Sequence, residues 1–286
     1  MELLNNMMAS IDYLEKHLED RLDIEQAAKE AYMSKFHYQR MFHMLTGITV
    51  AEYVRKRKLT LAAQELIVSK TKIIDLALKY GYETPESFSK AFRKLHGVSP
   101  SEARNHNTPL KAIPRLSFQI QIKGEEDMNY RIVEKDAFEV IGKTMRVSTV
   151  NGENFKRIPE FWQTCNSDGA SEGLMQDASD LGMLGICMEF EMEQESFTYM
   201  IAVEKNNGLH SDNFVVKKIP SATWAVFEVI GPMPHAIQAV WKRIYGEWFP
   251  STNYEHANAP EIEVYPSGDP TSENYKTEIW IPVVKK

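Results

Sequence analysis

The sequence predicts a multidomain protein. An all-α N-terminal double helix-turn-helix domain is followed by an α+β C-terminal domain with duplicated strand-strand-helix-strand-strand units. Three observations predict this. The first hundred residues repeat at an offset of 50. Residues 128–286 carry a second, looser duplication. The charge is also uneven: 30–104 holds 13 Lys+Arg against 7 Asp+Glu, whereas 128–286 holds 14 against 23, within a net charge of −7 for all 286 residues. The reading is 1–107 as the helical domain, 108–127 as a linker and 128–286 as the α+β domain.

Composition excludes several classes. Charged residues make up 26% and hydrophobic ones 43%, ordinary for a globular protein. Two cysteines, Cys165 and Cys187, cannot form a disulfide framework and suit a reducing compartment. No apolar run approaches the roughly 20 residues that span a bilayer. The acidic, amphipathic start MELLNNMMASIDYLEKHLED is not a signal peptide. The expected setting is the cytoplasm, with no membrane partner.

The elements follow in order. Leu4, Met8, Ile11, Leu14 and Leu18 form one apolar helix face. Asp23 caps a second helix, with Ala27 and Ala28 as packing positions. Ser34 caps a third, SKFHYQRMFHML, ending near Gly47. A long helix runs from Thr49 to about Ser69, and a short one over 73–80 ends at Gly81. Thr84-Pro85 opens the next, with proline at the first helical position, and Ser99-Pro100 starts a last short one.

The repeat aligns Ile24 with Ile74, Ala27 with Ala77, Tyr32 with Tyr82, Ser34 with Thr84, Arg40 with Lys90, Phe42 with Phe92 and Gly47 with Gly97. Each copy is a short helix, a tight turn and a second helix with Phe and Leu on its buried face. The connecting helix of about 20 residues spans roughly 30 Å. One turn of B-DNA is about 34 Å. Two recognition helices at that separation reach successive major grooves of double-stranded DNA from one chain.

The stretches SKFHYQRMF, YVRKRKL and DLALKYGYETPESFSKAFRKLHGVSPSEAR resemble the AraC/XylS family of transcription regulators, in particular its MarA/Rob-like branch. The resemblance implies that Phe36, Gln39 and Arg40 face base edges from the first recognition helix, and Glu86, Ser87, Ser89 and Lys90 from the second. Ser34, Lys35, Arg57 and Thr84 complete the DNA-binding set. Gln suits adenine, Arg suits guanine, and Phe meets a thymine methyl. Arg55, Lys58, Lys70, Lys72 and Arg93 are placed for phosphates or for solvent. Pro85 and Glu86 stand where that branch often has two glutamines. RNA polymerase is the implied protein partner. His17, His37, His43, His96 and His106 offer no metal pattern, and no cofactor is expected.

After Thr108-Pro109 and Ile113-Pro114 the pattern changes. Phe118, Ile120 and Ile122 alternate as a strand would. NYRIVEKDAFEVIGKTMRV reads as two strands. Residues 153–167 form an amphipathic helix containing Phe155, Ile158, Phe161 and Trp162. LGMLGICMEFEM and SFTYMIAVEK are two more strands. The order recurs in NFVVKKIPSATWAVFEVIG, a helix over 234–249, PEIEVYP and KTEIWIPVV. A groove lined by both copies is the natural ligand site.

This half resembles the GyrI-like effector-binding domain through F-EVIGK, the helix with FW, LGICMEF, IPSATWAVFEV and TEIWIPV. The resemblance implies a multidrug-type pocket for a small, bulky, cationic aromatic effector. Its acidic anchor matches Glu278, and Trp162, Tyr199, Trp241, Tyr265 and Trp280 are candidate walls. Glu189 and Glu191 share a strand face and offer a second acidic site. Two rival functions stand beside this one. In the first, Glu189 or Glu191 works with Glu278 as acid and base of a hydrolase. In the second, the domain binds a protein. No nucleophile elbow or phosphate loop supports an enzyme, and the two cysteines read as structural thiols.

Overall fold

The computed structural model describes residues 2–105, 107–117, 127–176, 179–191, 194–205 and 214–285. Two compact units emerge. One comprises Met1–Tyr38 with Val50–Ile122, the other Gln39–Thr49 with Lys123–Lys286. The alternating stretch Phe118, Ile120 and Ile122 lies outside the described residues.

The first unit is helical. Helix α1 (Glu2–Lys16) buries Met7, Ile11 and Leu14, and Leu18 follows it into the core. Met8, expected inward, is 44% exposed. Both methionines fit an i, i+3/i+4 series, and Met7 completes the same stripe with Ile11 and Leu14. In α2 (Ile24–Glu30) the Asp23 carboxylate accepts from the Gln26 amide at 2.9 Å, and Ala27 and Ala28 are buried. Helix α3 (Lys35–Thr46) runs across the boundary between the units. Its Ser34 cap accepts from the His37 amide.

Helix α4 (Val50–Val68) is about 28 Å long at the usual rise. Leu59, Ala62, Ala63 and Leu66 on α4 pack against Leu76 and Ala77 of α5 (Ile73–Lys79) and against Phe88 and Phe92 of α6 (Pro85–His96). Thr84 caps α6 by accepting from Ser87, and Gly97 ends it at φ +82°. One 3-10 turn, Glu102–Arg104, closes the helical series.

Residues 108–117 are held as a strap along α4. Tyr53 Oη accepts from the Leu116 amide, Thr60 Oγ1 from the Ile113 amide, and His96 Nδ1 faces the Lys111 amide. Arg57 donates to the Ile113 carbonyl at 2.6 Å and grips Glu15 through both Nε and Nη2 at 2.8 Å. Backbone groups bonded this way cannot move freely, so this part of the expected linker is ordered by side chains.

The second unit is built on one sheet in the order β1-β6-β9-β8-β3-β4-β2-β5, with short β7 (Tyr254–His256) on β9. The strands are β1 Tyr130–Lys135, β2 Phe138–Ser148, β3 Met183–Glu191, β4 Ser196–Glu204, β5 Val215–Ile219, β6 Ala222–Ile230, β8 Glu261–Tyr265 and β9 Lys276–Lys285. Helices α7 (Glu153–Ser167) and α8 (Ala170–Met175) follow β2, and α9 (His235–Arg243) follows β6. The two copies therefore meet at the β3–β8 pair. Their leading strands are exchanged: β1 pairs with β6 of the second copy, and β5 with β2 of the first.

Each copy thus has the expected strand-strand-helix-strand-strand order. Helix α8, strand β7 and a five-residue π turn, Ile244–Trp248, are additions that the sequence reading did not contain. Alternation gives the sheet two apolar faces. One holds Trp224, Trp280, Ile262, Val264, Leu184, Ile186 and Met200. The other holds Tyr199, Ile201, Val203 and Ile141, with Phe161, Trp162 and Tyr265 packed against them. Phe155 of α7, expected as a packing residue, is 52% exposed.

Candidate functional site

Strand β8 carries the sequence Glu261-Ile262-Glu263-Val264-Tyr265. Ile262 and Val264 enter the tryptophan-rich core, so alternation sends Glu261, Glu263 and Tyr265 to the opposite face. Glu263 accepts three hydrogen bonds there. Trp241 Nε1 of α9 donates at 2.8 Å, Tyr265 Oη at 3.0 Å and Tyr199 Oη of β4 at 3.2 Å. Trp162 Nε1 of α7 donates to Tyr199 Oη at 2.9 Å, and its ring meets Tyr265 edge-on at 5.3 Å. The cluster draws on both copies: Trp162 and Tyr199 from the first, Trp241, Glu263 and Tyr265 from the second.

Its electrostatics are unusual. Burial pushes the Glu263 carboxyl above its ordinary value, the bonds from Trp241, Tyr265 and Tyr199 oppose that push, and the charge of Glu261 adds to it. Burial and the nearby carboxylate also raise the Tyr199 and Tyr265 phenols well above 10. Among the described residues no cation pairs with Glu263. A desolvated carboxylate with only neutral donors attracts a cation strongly, because water competes little.

Space for this arrangement comes from Gly185, which pairs with Glu263 across β3–β8. A Cβ at 185 falls 2.3 Å from Tyr199 Oη and 3.0 Å from Glu263 Oε2.

Glu261, two residues away, lies in a different environment. Arg40 donates through Nε to Oε1 at 3.0 Å and pairs through Nη2 with Oε2. Tyr245 Oη and His256 Nε2 reach Oε1 at 2.9 Å. The π turn supplies Tyr245. Burial works against ionisation of Glu261, but the Arg40 charge and the His256 hydrogen bond prevail and hold its carboxyl low, at about 2.

The structure brings together Trp162, Tyr199, Tyr265 and Trp241 of the expected walls. It separates Glu278 and Trp280 from them. In the β8–β9 register Ile262 faces Trp280 and Val264 faces Glu278, so both lie on the other side of the sheet from Glu263. Trp280 packs near Trp224 and donates to Glu278 at 2.8 Å, and Glu278 is ion-paired with Arg131 at 2.8 Å. Glu278 therefore stands apart from the four wall residues it was expected to join, and the carboxylate placed among them is Glu263.

Glu189 accepts from Thr198 at 2.8 Å and pairs with Lys217, while Glu191 pairs with Arg146. A register shift between Met188 and Glu191, with Glu189 at φ +52°, turns this strand end away from simple alternation. Glu278 aligns through Val264 with Leu184. Five residues of strand, about 16 Å, separate that level from Glu189. The two cannot serve as an acid and base pair. Cys165 and Cys187 are free thiols, both raised by burial.

On the DNA side, α6 buries Phe88, Phe92 and His96. Glu86, Ser87, Lys90 and Arg93 are exposed, and so is Thr84 at the cap; Ser89 is half-exposed. Lys70 and Lys72 are exposed as well. On α3, Ser34 is exposed, Lys35 and Phe36 are half-buried, and Gln39 and Arg40 are buried at 7% exposure. Arg40 thus differs from the exposed base reader expected of it, because its planar fork matches the Glu261 carboxylate. Arg57 is committed to Glu15 rather than to solvent. Glu261, Glu263, Tyr245 and Gly185 are the site residues that sequence reasoning missed.

Comparison with known proteins covers both halves. Residues 128–284 match the family described as a GyrI-like small molecule binding domain, and 27–106 match a helix-turn-helix domain family. The transcriptional activator AarP of Providencia stuartii is 36% identical over 96 residues, covering 34% of this chain and 71% of AarP. The regulatory protein SoxS of Salmonella typhimurium (strain LT2) is 38% identical over 95 residues, covering 33% of this chain and 89% of SoxS. The solved structure of SAV2435 bound to tetraphenylphosphonium superposes with a TM-score of 0.50 at 30% identity, covering 55% of this chain and 94% of that one. The matched relatives are regulators, and nothing among them supports a hydrolase.

Proposed function

Since this chain belongs to the GyrI-like small molecule binding family through its second half and to the AraC-type helix-turn-helix regulators through its first, we propose that it is a transcription regulator whose effector is a bulky monovalent aromatic cation held at Glu263. The DNA-binding regulator with a small-molecule domain is the family's character; the cation and its anchor are our reading. One observation carries it: Glu263 is desolvated, bonded among the described residues by two phenols and an indole alone, and ringed by Trp162, Tyr199, Trp241 and Tyr265. Such a cage attracts a hydrophobic cation through its charge and its ring faces together. The tetraphenylphosphonium in the SAV2435 structure is a ligand of this class. The setting we propose is the cytoplasm, with RNA polymerase as protein partner; no described helix is long and apolar enough to cross a membrane.

Tetraphenylphosphonium titrated into the full chain, followed by tryptophan fluorescence, tests this. Glu263→Gln is expected to weaken binding about thirtyfold, roughly 2 kcal/mol, while Glu278→Gln changes it less than twofold. Only the ionised carboxylate attracts the cation. Because the Glu263 carboxyl sits above its ordinary value, wild-type affinity falls on acidification sooner than an ordinary carboxylate would allow, and Glu263→Gln removes that dependence. Equal weakening by both substitutions, or none by either, sinks the assignment.

We also propose that α6 reads bases through Glu86, Ser87 and Lys90. Lys90→Ala is expected to cost about 1–3 kcal/mol and to relax preference at one position of a duplex selected from a random pool. A loss uniform across sequences, with a shallower salt dependence, would assign Lys90 to a phosphate instead.

A further inference from the structure

Glu261 and Glu263 share one face of β8, two residues apart, yet they are satisfied differently. Among the described residues Glu263 has neutral donors only. Glu261, at 1% exposure, holds a complete guanidinium recognition site. Its two oxygens take the Nε and Nη2 edge of Arg40, and the Arg40 Cζ lies 4.9 Å from the Phe190 ring centroid and 5.9 Å from that of Tyr245. A bidentate carboxylate between two aromatic faces is how a receptor binds a planar cation from solution. Here the chain supplies the planar cation itself.

Resting on the Glu263 reading, we propose that Glu261 is a second cation subsite of the same cage, specific for amidinium and guanidinium groups, and that Arg40 is its built-in competitor. An aromatic amidine displaces Arg40 by offering the same fork to Glu261. A ligand carrying two such cations spans Glu261 and Glu263 together. His256 and Tyr245 stay bonded to Glu261 whichever fork is present, so the carboxylate keeps two of its donors during the exchange. Displacement also returns to α3 a side chain whose expected role is reading a base. The cation and the DNA would then favour the same state of Arg40, which is the differential interaction that coupling requires.

Competition has a measurable signature. A site filled nine-tenths of the time by an internal ligand binds an external one about tenfold more weakly. Benzamidine and tetraphenylphosphonium are titrated calorimetrically into the full chain as wild type, Arg40→Gln and Glu261→Gln. Benzamidine is expected to bind Arg40→Gln at least tenfold more tightly than wild type and to lose measurable binding in Glu261→Gln. Tetraphenylphosphonium has no N–H fork, so Arg40→Gln changes its affinity less than threefold. Benzamidine affinity unchanged by Arg40→Gln, or both ligands tightening equally, overturns the proposal.

The two readings fail separately. Tetraphenylphosphonium binding without the benzamidine pattern leaves Glu263 as anchor and removes the Arg40 inference. The benzamidine pattern without tetraphenylphosphonium binding keeps Arg40 as a competitor at Glu261 but removes the Glu263 anchor and, with it, the shared cage. Should Arg40→Gln not fold, Arg40→Lys keeps a cation but loses the fork, and benzamidine is expected to bind it about threefold more tightly than wild type; no gain there overturns the proposal equally.

Discussion

Gly142→Ala is expected to unfold the second unit. Gly142 sits inside β2, paired with Ala202 of β4 on one side and Val215 of β5 on the other. A Cβ there falls 2.0 Å from the Ile201 carbonyl oxygen, 2.6 Å from the Ala202 Cα and 2.8 Å from the Ile201 carbonyl carbon. All three are backbone atoms, so no rotamer change relieves the contact. Relief requires β2 to move off β4, along a ladder that runs from Val140 to Ser148. Overpacking a core ordinarily costs about 1–3 kcal/mol; a rigid backbone neighbour places this substitution at or above the top of that range. Thermal melting should show the loss, and limited proteolysis should place new cleavage sites within 127–285. Val284→Ala, at a residue 51% exposed, should stay within about 0.5 kcal/mol of wild type. An unshifted melting temperature for Gly142→Ala would remove the close approach from the account.

Gly185→Ala is expected to disable the proposed cation cage at Glu263 while leaving the sheet assembled. The added methyl meets side chains here, with Tyr199 Oη at 2.3 Å and Glu263 Oε2 at 3.0 Å. Tyr199 is 1% exposed and tied to Trp162, so its hydroxyl has nowhere to retreat. Its bond to Glu263 must break or the carboxylate must turn away from Trp241 and Tyr265. Loss of one charge-assisted bond is worth about 1.5–3 kcal/mol, which corresponds to a ten- to hundredfold loss in tetraphenylphosphonium affinity. The double substitution Gly185→Ala with Tyr199→Phe removes the nearest clashing atom. It should regain most of the stability lost by Gly185→Ala but not the ligand affinity. Simple additivity of the two substitutions would show that the glycine acts elsewhere.

The helical unit was legible because its signals are local. Asp23, Ser34 and Thr84 cap the helices that follow them, and Phe88 and Phe92 lie inward as their spacing requires. The strap over α4 was not legible, since Thr108-Pro109 and Ile113-Pro114 read as punctuation whatever their backbone groups are bonded to. The sheet strands were legible from alternation, but alternation does not say which side is covered. In Glu261-Ile262-Glu263-Val264-Tyr265 the acids alternate with apolar residues, the pattern of a strand with one wet face. Helices α7 and α9 bring Trp162 and Trp241 over that face. The same ambiguity favoured Glu278, whose partner Arg131 is 147 residues distant in sequence. Tyr265, next but one to Glu263, was the signal available: an aromatic on the acidic face is out of place if that face meets water.

The exchanged leading strands have a consequence for biosynthesis. Tyr130 pairs with Phe227, and β6 pairs in turn with β9, which ends at Lys285. The first strand of the sheet to be translated waits nearly a hundred residues for its neighbour, and β9, which joins β6 to β8, follows later still. Strands β2, β4 and β3 of the first copy can pair among themselves, but β1 and the β3–β8 seam wait for the second copy, and such distant pairings are slow to form. The helices of the first unit, with contacts close in sequence, need no such delay. A nascent chain therefore presents its nucleic-acid-reading elements before the cage that would respond to an effector exists.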